Sequence, residues 1–124
     1  MTRPQVAISQ DFMYAYSDLP KSVQVRARDF MTKFRADPTS PGINYEKIHD
    51  AADGKLHSVR IDQTYRGIVA RQPDTGVYLL LWVDHHDDAY AWARRRKCDV
   101  NTSTGTIQVY SVEDTVQEKP AEPE

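Results

Sequence analysis

Apolar residues recur along the chain in two rhythms. Across residues 20–35 they fall at helical intervals: Val23, Ala27, Phe30, Met31 and Phe34 stand at i, i+4, i+7, i+8 and i+11. That spacing lays one apolar stripe along a helix and leaves Lys21, Arg28, Lys33 and Arg35 largely off it. Pro20 suits the first turn, where its missing N–H has no helical partner to lose. Asp37-Pro38-Thr39-Ser40-Pro41-Gly42 then stops the helix. Upstream, Val6-Ala7-Ile8 has strand character, Ser9 or Asp11 can start a helix, and Phe12, Tyr16 and Leu19 keep helical spacing. A short strand therefore leads into a helical hairpin.

Farther on the rhythm changes. Residues 56–61, 65–71 and 77–83 are rich in Val, Ile, Leu and Tyr, and are separated by the turn residues Asp62-Gln63-Thr64 and Pro73-Asp74-Thr75-Gly76. Connections so short demand antiparallel neighbours. The run Val-Tyr-Leu-Leu-Leu-Trp-Val is apolar at both parities, which places it inside the sheet with both faces covered. A last helix is expected over residues 87–97, with Asp87 and Asp88 in its first turn and Arg94, Arg95, Arg96 and Lys97 in its last, a charge order that complements the helix dipole. Gly105 allows a turn into a final strand over 106–110. The predicted order is β-α-α-β-β-β-α-β, an α+β arrangement.

Composition narrows the function classes. The chain has 124 residues and a net charge of −2, but the charge is uneven: one lysine against five carboxylates gives residues 111–124 a net of −4, leaving +2 on residues 1–110. The tail, with two prolines and few apolar groups, cannot bury enough surface to offset its chain entropy and reads as a disordered terminus or linker. The body, 1–110, is one domain whose mild positive charge permits nucleic acid. The apolar run 77–83 is far below the ~20 residues of a membrane span, and the N-terminus has no secretory apolar stretch, so a cytoplasmic protein without a membrane partner is expected. Cys98 is the sole cysteine, which excludes a disulfide framework and a cysteine zinc site. No metal or cofactor is expected.

Two constellations could carry chemistry. On its strand Arg60 shares a face with Leu56 and Ser58, opposite His57, Val59 and Ile61, and Arg66 can approach it across the 62–64 turn. Two guanidinium forks on one patch make a phosphate site; the plainer alternative is simple pairing with Asp62 or Asp84. The second constellation is Asp84-His85-His86-Asp87-Asp88. Adjacent histidines diverge and carboxylates at a helix start more often cap it, so capping outweighs a metal site here. Imidazoles can exchange protons near neutrality. The Arg94 to Lys97 run reads either as a solvated helix end or as a backbone-binding patch for RNA or DNA, with Arg94 and Arg95 foremost. His57, Trp82, Trp92, Tyr78 and Tyr90 read as packing residues, with Tyr65 and Tyr90 also open to a functional role.

The segment LHSVRIDQTYRGIVA (residues 56–70) resembles the strand, turn and Tyr-Arg-led strand of the RelE/ParE toxin superfamily. With SVQVRARDFMTKF, DPTSPGINYEKI, YLLLWVDHHDDAYAWARR and NTSTGTIQVY, it is similar over nearly all of residues 5–110 to the RelE-like module at the N-terminus of some bacterial Rep/UvrD-type DNA helicases. The resemblance implies a RelE-like fold, with an N-terminal strand and helical hairpin packed on an antiparallel sheet. It also implies a toxin-type endoribonuclease that cuts messenger RNA on the ribosome by metal-independent attack of the ribose 2′-oxygen, with a cognate antitoxin as partner and DNA reached through a helicase context. It maps family arginines onto Arg66 and Arg60, and proton-transfer groups onto His85, His86 and Tyr90. Paired lysines of ribosome-dependent nucleases fall near Leu56 and Ser58 here. No G-x-x-x-x-G-K-[ST] signature occurs, so nucleotide hydrolysis by that route is excluded. The competing reading is a non-catalytic accessory domain that docks on a helicase body, DNA or protein.

Overall fold

The computed structural model describes residues 5–49, 51, 53–72, 76–101 and 106–111. The expected tail beyond Ser111 and the turn residues Pro73, Asp74, Thr75 and Gly105 lie outside that set. In chain order the elements are β1 (Val6–Ile8), α1 (Gln10–Ser17), α2 (Lys21–Ala36), β2 (Glu46–Lys47), β3 (Leu56–Arg60), β4 (Tyr65–Arg71), β5 (Tyr78–His85), α3 (His86–Arg94), β6 (Arg96–Asn101) and β7 (Thr106–Ser111).

Five strands form one sheet in the order β1-β5-β4-β3-β2, and β6 pairs with β7 in a second, two-stranded sheet. Ladders within the first sheet are antiparallel except that β1 joins β5 in parallel, Ala7 opposite Leu79. Apolar residues cover both faces of the first sheet. On one, the helical hairpin packs Phe12, Val23, Phe30 and Phe34 against Val59, Val69, Leu80 and Val83. On the other, Ala89 and Ala93 of α3 and Cys98 of β6 pack against Leu56, Ile68, Leu79 and Leu81. The double cover explains the unbroken apolar run of β5, and it buries Leu56 and Ser58, on the face opposite His57 and Val59, as fully as Val59 itself. Alanines one turn apart let α3 lie close on the sheet.

Local chemistry fixes the ends of these elements. Ser9 caps α1, its Oγ accepting from Phe12 N–H at 3.0 Å and donating to Leu81 C=O at 3.3 Å, which ties the helix start to β5. A register shift between Ile68 and Val69 gives β5 one extra residue against β4.

Three expectations are revised. The last helix stops at Arg94, and Arg96 and Lys97 open β6 instead of closing the helix. The reason is tertiary: Cys98 is buried in the second core and its backbone N–H donates to the Asp53 carboxylate at 3.1 Å, a geometry available to a strand that pairs with β7. The sheet is not wholly antiparallel, because the chain passes through the helical hairpin and three strands between β1 and β5, long enough to return in parallel. Two further strands, β2 and β6, were not foreseen, β2 being a two-residue edge with exposed polar side chains.

Candidate functional site

The turn between β3 and β4 is held by its own polar groups. The Asp62 carboxylate accepts from Thr64 N–H and Tyr65 N–H, both at 2.8 Å, and pairs with Arg26 of α2 at 3.1 Å. Burial alone would raise the Asp62 carboxyl, but those two N–H groups and the Arg26 guanidinium outweigh it and hold the group below the usual carboxylate range. Arg66 Nη1 donates to the carbonyls of Asp62, at 2.6 Å, and Tyr65, at 3.0 Å.

That rigid turn sets the register of the strands it joins. Arg60 lies directly opposite Arg66, and Arg66 directly opposite Asp84, so the three form one row across β3, β4 and β5 on the α3 side of the sheet. Asp62 spends its carboxylate on Arg26 and the turn. Asp84 accepts from Trp82 Nε1–H at 3.3 Å and from His85 N–H at 2.9 Å. Among the described residues, neither Arg60 nor Arg66 has a carboxylate ion pair. Simple pairing with Asp62 or Asp84 is therefore not what this row does. A polar cleft of about 190 Å³ borders it on the α2 side, lined by Arg26, Lys33 and Arg60 with Asp29.

Trp82 stands in the next row on the same face, opposite Ile68. Its indole stacks on Trp92 of α3, ring centroids 5.0 Å apart and planes 4° from parallel, and the Arg96 guanidinium lies 5.3 Å from the Trp92 centroid. The tryptophans pack on each other, as expected of packing residues, yet remain half-exposed.

His85 lies opposite Tyr65 in the ladder, with ring centroids 4.9 Å apart, and the pleat puts both on the face away from the arginine row. His86 N–H donates to Thr64 C=O at 2.8 Å, its Nδ1 sits 2.9 Å from an Asp87 carboxylate oxygen, and its ring is 6.2 Å from that of His85. The sheet thus brings His85 and Tyr65 together on one side and Arg60, Arg66, Asp84 and Trp82 on the other, while His86 opens α3 beside His85. Both groups stand at the same end of the sheet. Tyr90 packs into the second core on the arginine side, while Arg94 and Arg95 are exposed at the end of α3. His57 stacks on Tyr45 at 4.6 Å, with its Nδ1 3.0 Å from Lys55 C=O. Among the described residues, no three His, Cys, Asp or Glu side chains are placed to hold a metal ion, and no helix is long and apolar enough to cross a membrane.

Sequence reasoning did not single out Arg96 or Asp53. For Arg96 a signal was present, since it follows Trp92 by four residues within a basic run; for Asp53, whose partner is 45 residues away, there was none.

Taken together, the topology and two-sided packing define the RelE-like α+β fold. Among solved structures, the chain is similar to one in the archaeal RelE–RelB complex from Pyrococcus horikoshii, with a TM-score of 0.54 and 21% identity over 68% of this chain and 96% of that one. A toxin–antitoxin complex of the RelBE type from Mycobacterium tuberculosis gives 0.54 and 19%, over 68% and 93%. A free-state mutant of the Escherichia coli toxin RelE gives 0.53 and 12%, over 74% and 95%. No family model and no curated protein matches the chain.

Proposed function

We propose that the chain is a RelE-like, toxin-type module that binds nucleic acid through the Arg60–Arg66 pair and acts as a messenger endoribonuclease. The carrying observation is that pair: two arginines directly opposite each other in the ladder, on one face, with no carboxylate ion pair among the described residues. In the reaction the ribose 2′-oxygen forms a bond to the adjacent phosphorus and the bond to the 5′-oxygen breaks. One proton leaves the 2′-hydroxyl for a base and one reaches the 5′-oxygen from an acid. Arg60 and Arg66 oppose the charge developing on the phosphoryl oxygens. His85 and His86 at the sheet end, and Tyr90 on the arginine side, are the groups this reading assigns to proton transfer, and Arg94 and Arg95 add sequence-independent backbone attraction.

A second reading is a non-catalytic accessory module, such as the N-terminal domain of a DNA helicase, binding DNA or protein. It is favoured by one observation: His85 turns to Tyr65, across the sheet from the arginines.

An antitoxin-type protein partner, in the first reading, has an edge that is open among the described residues to extend. Gln5 C=O and Ser9 N–H bond to β5, so the backbone groups of Val6 and Ile8 point outward from β1. A cleft of about 670 Å³ runs along that edge, with Arg28, Arg35 and Met31 in its wall.

Expression of the chain with and without Arg66→Ala, following growth and cleavage of ribosome-bound messenger, tests the nuclease. Toxicity and cleavage that vanish with Arg66 are expected. Neither effect from the unaltered chain refutes the nuclease, and salt-dependent binding of RNA or DNA that weakens on replacing Arg60 and Arg66 would then support the accessory module.

A further inference from the structure

We infer that Arg96, backed by Trp92 and Trp82, is a nucleobase site that takes a base of a single-stranded RNA whose phosphates lie on Arg60 and Arg66. The inference rests on the nucleic-acid reading above and adds what that reading lacks, a group that contacts bases. Three planar groups pile up here: Trp82 on Trp92 at 5.0 Å, nearly parallel, and Arg96 over Trp92 at 5.3 Å. An arginine held over an indole has fewer orientations open to it, so less freedom remains to be lost when a base adds beside it. Arg96 is half-exposed, and among the described residues no carboxylate or hydrogen-bond partner occupies it.

Position supports the same assignment. Trp82 and Asp84 are two residues apart on β5, and Arg66 is opposite Asp84, so the indole begins one pleat repeat, roughly 7 Å, along the sheet from the arginine row and on its face. Trp82 Nε1–H is tied to Asp84, which fixes the first indole relative to that row. A phosphate on Arg60 and Arg66 leaves its base or the next within reach of the pile. Base stacking of this kind is sequence-tolerant, since every base has a π-face.

The chain holds two tryptophans, and both are in the pile, so tryptophan emission, excited where tyrosine does not absorb, reports on this site. The full chain would be titrated at low salt with oligoriboadenylate roughly 12 nucleotides long, within the usual footprint of a small binding domain. An abasic strand of equal length serves as control, and binding is followed separately by anisotropy of a labelled end. Expected is quenching of tryptophan emission by the oligoadenylate and not by the abasic strand, with Arg96→Ala weakening oligoadenylate binding about tenfold. Arg96→Lys, which keeps the charge and loses the plane, should weaken the oligoadenylate and leave the abasic strand unchanged. Anisotropy showing tight binding with no quenching, or an Arg96→Lys chain that binds both strands like the unaltered one, overturns the base site while the Arg60–Arg66 reading stands. No binding of either strand at low salt overturns both.

Discussion

Replacing Asp53 by alanine removes the buried acceptor that joins β6 to the body of the fold. The Asp53 side chain is only 8% exposed; its two oxygens accept from Lys55 N–H at 3.0 Å and Cys98 N–H at 3.1 Å, with Lys55 Nζ at 3.3 Å. Desolvation alone would raise its carboxyl, but the two backbone N–H groups and the Lys55 ammonium outweigh burial and hold it below the ordinary range. Alanine leaves the buried Cys98 N–H and the partly buried Lys55 N–H unpaired, and at 1–3 kcal/mol for each lost bond the loss is about 3 kcal/mol. For a domain of this size that lowers the midpoint of thermal unfolding by roughly 12 °C. Lys55→Ala, removing a partner that is 39% exposed, should lose under about 1 kcal/mol. The sign of the pH dependence follows from the same contacts. A carboxyl held below its unfolded value of roughly 4 binds fewer protons in the folded state, so its stabilisation is complete above that pH and disappears as pH falls through the lower folded value. Circular dichroism melts at pH 7 and across pH 2 to 5 measure both effects, and hydrogen exchange should show β6 amides losing protection first in the alanine variant. An Asp53→Ala melt within about 3 °C of the unaltered chain would refute the assignment.

Gly67→Ala should destabilise by about 1–2 kcal/mol, read from urea midpoints, because a methyl there meets Val59 Cγ2 at 3.0 Å and Val59 is a fully buried, β-branched residue with little room to turn. Ser9→Ala removes the α1 cap and its buried link to Leu81 and should lower stability by about 1.5 kcal/mol, with unchanged helix content by circular dichroism. The Cys98 thiol, pushed up to about 11 by burial and by the neighbouring Asp53 carboxylate, should resist a disulfide reagent at pH 8 in the folded protein and react fully once urea unfolds it.

The secondary structure that was legible in the sequence is the part governed by near neighbours. The α2 stripe and the three central strands follow from periods of 3.6 and 2, and the observed ends of those strands fall within two residues of the expected ones. The Arg60 face was legible for the same reason, since alternation along β3 is a local rule. The end of α3 was not: a basic run that suits a helix terminus was drawn into a strand by Asp53, a partner 45 residues away. The candidate site divides along the same line. Arg60 and Arg66 could be paired from a short turn, whereas placing His85 beside Tyr65 depends on the register of β4 and β5, and placing Trp82 on Trp92 depends on how α3 packs against β5.

By itself, then, the sequence determined the hairpin of α1 and α2, the three central strands and the burial of β5 on both faces, and it named candidates for phosphate binding and proton transfer. Tertiary structure decided which of those residues share a surface. The parallel seat of β1, the Asp53 link to β6, the separation of His85 from the arginine row and the tryptophan–arginine pile all rest on groups distant in sequence or on separate elements. Periodicity carries information over a few residues, while such meetings are set by the packing of whole elements against a common core.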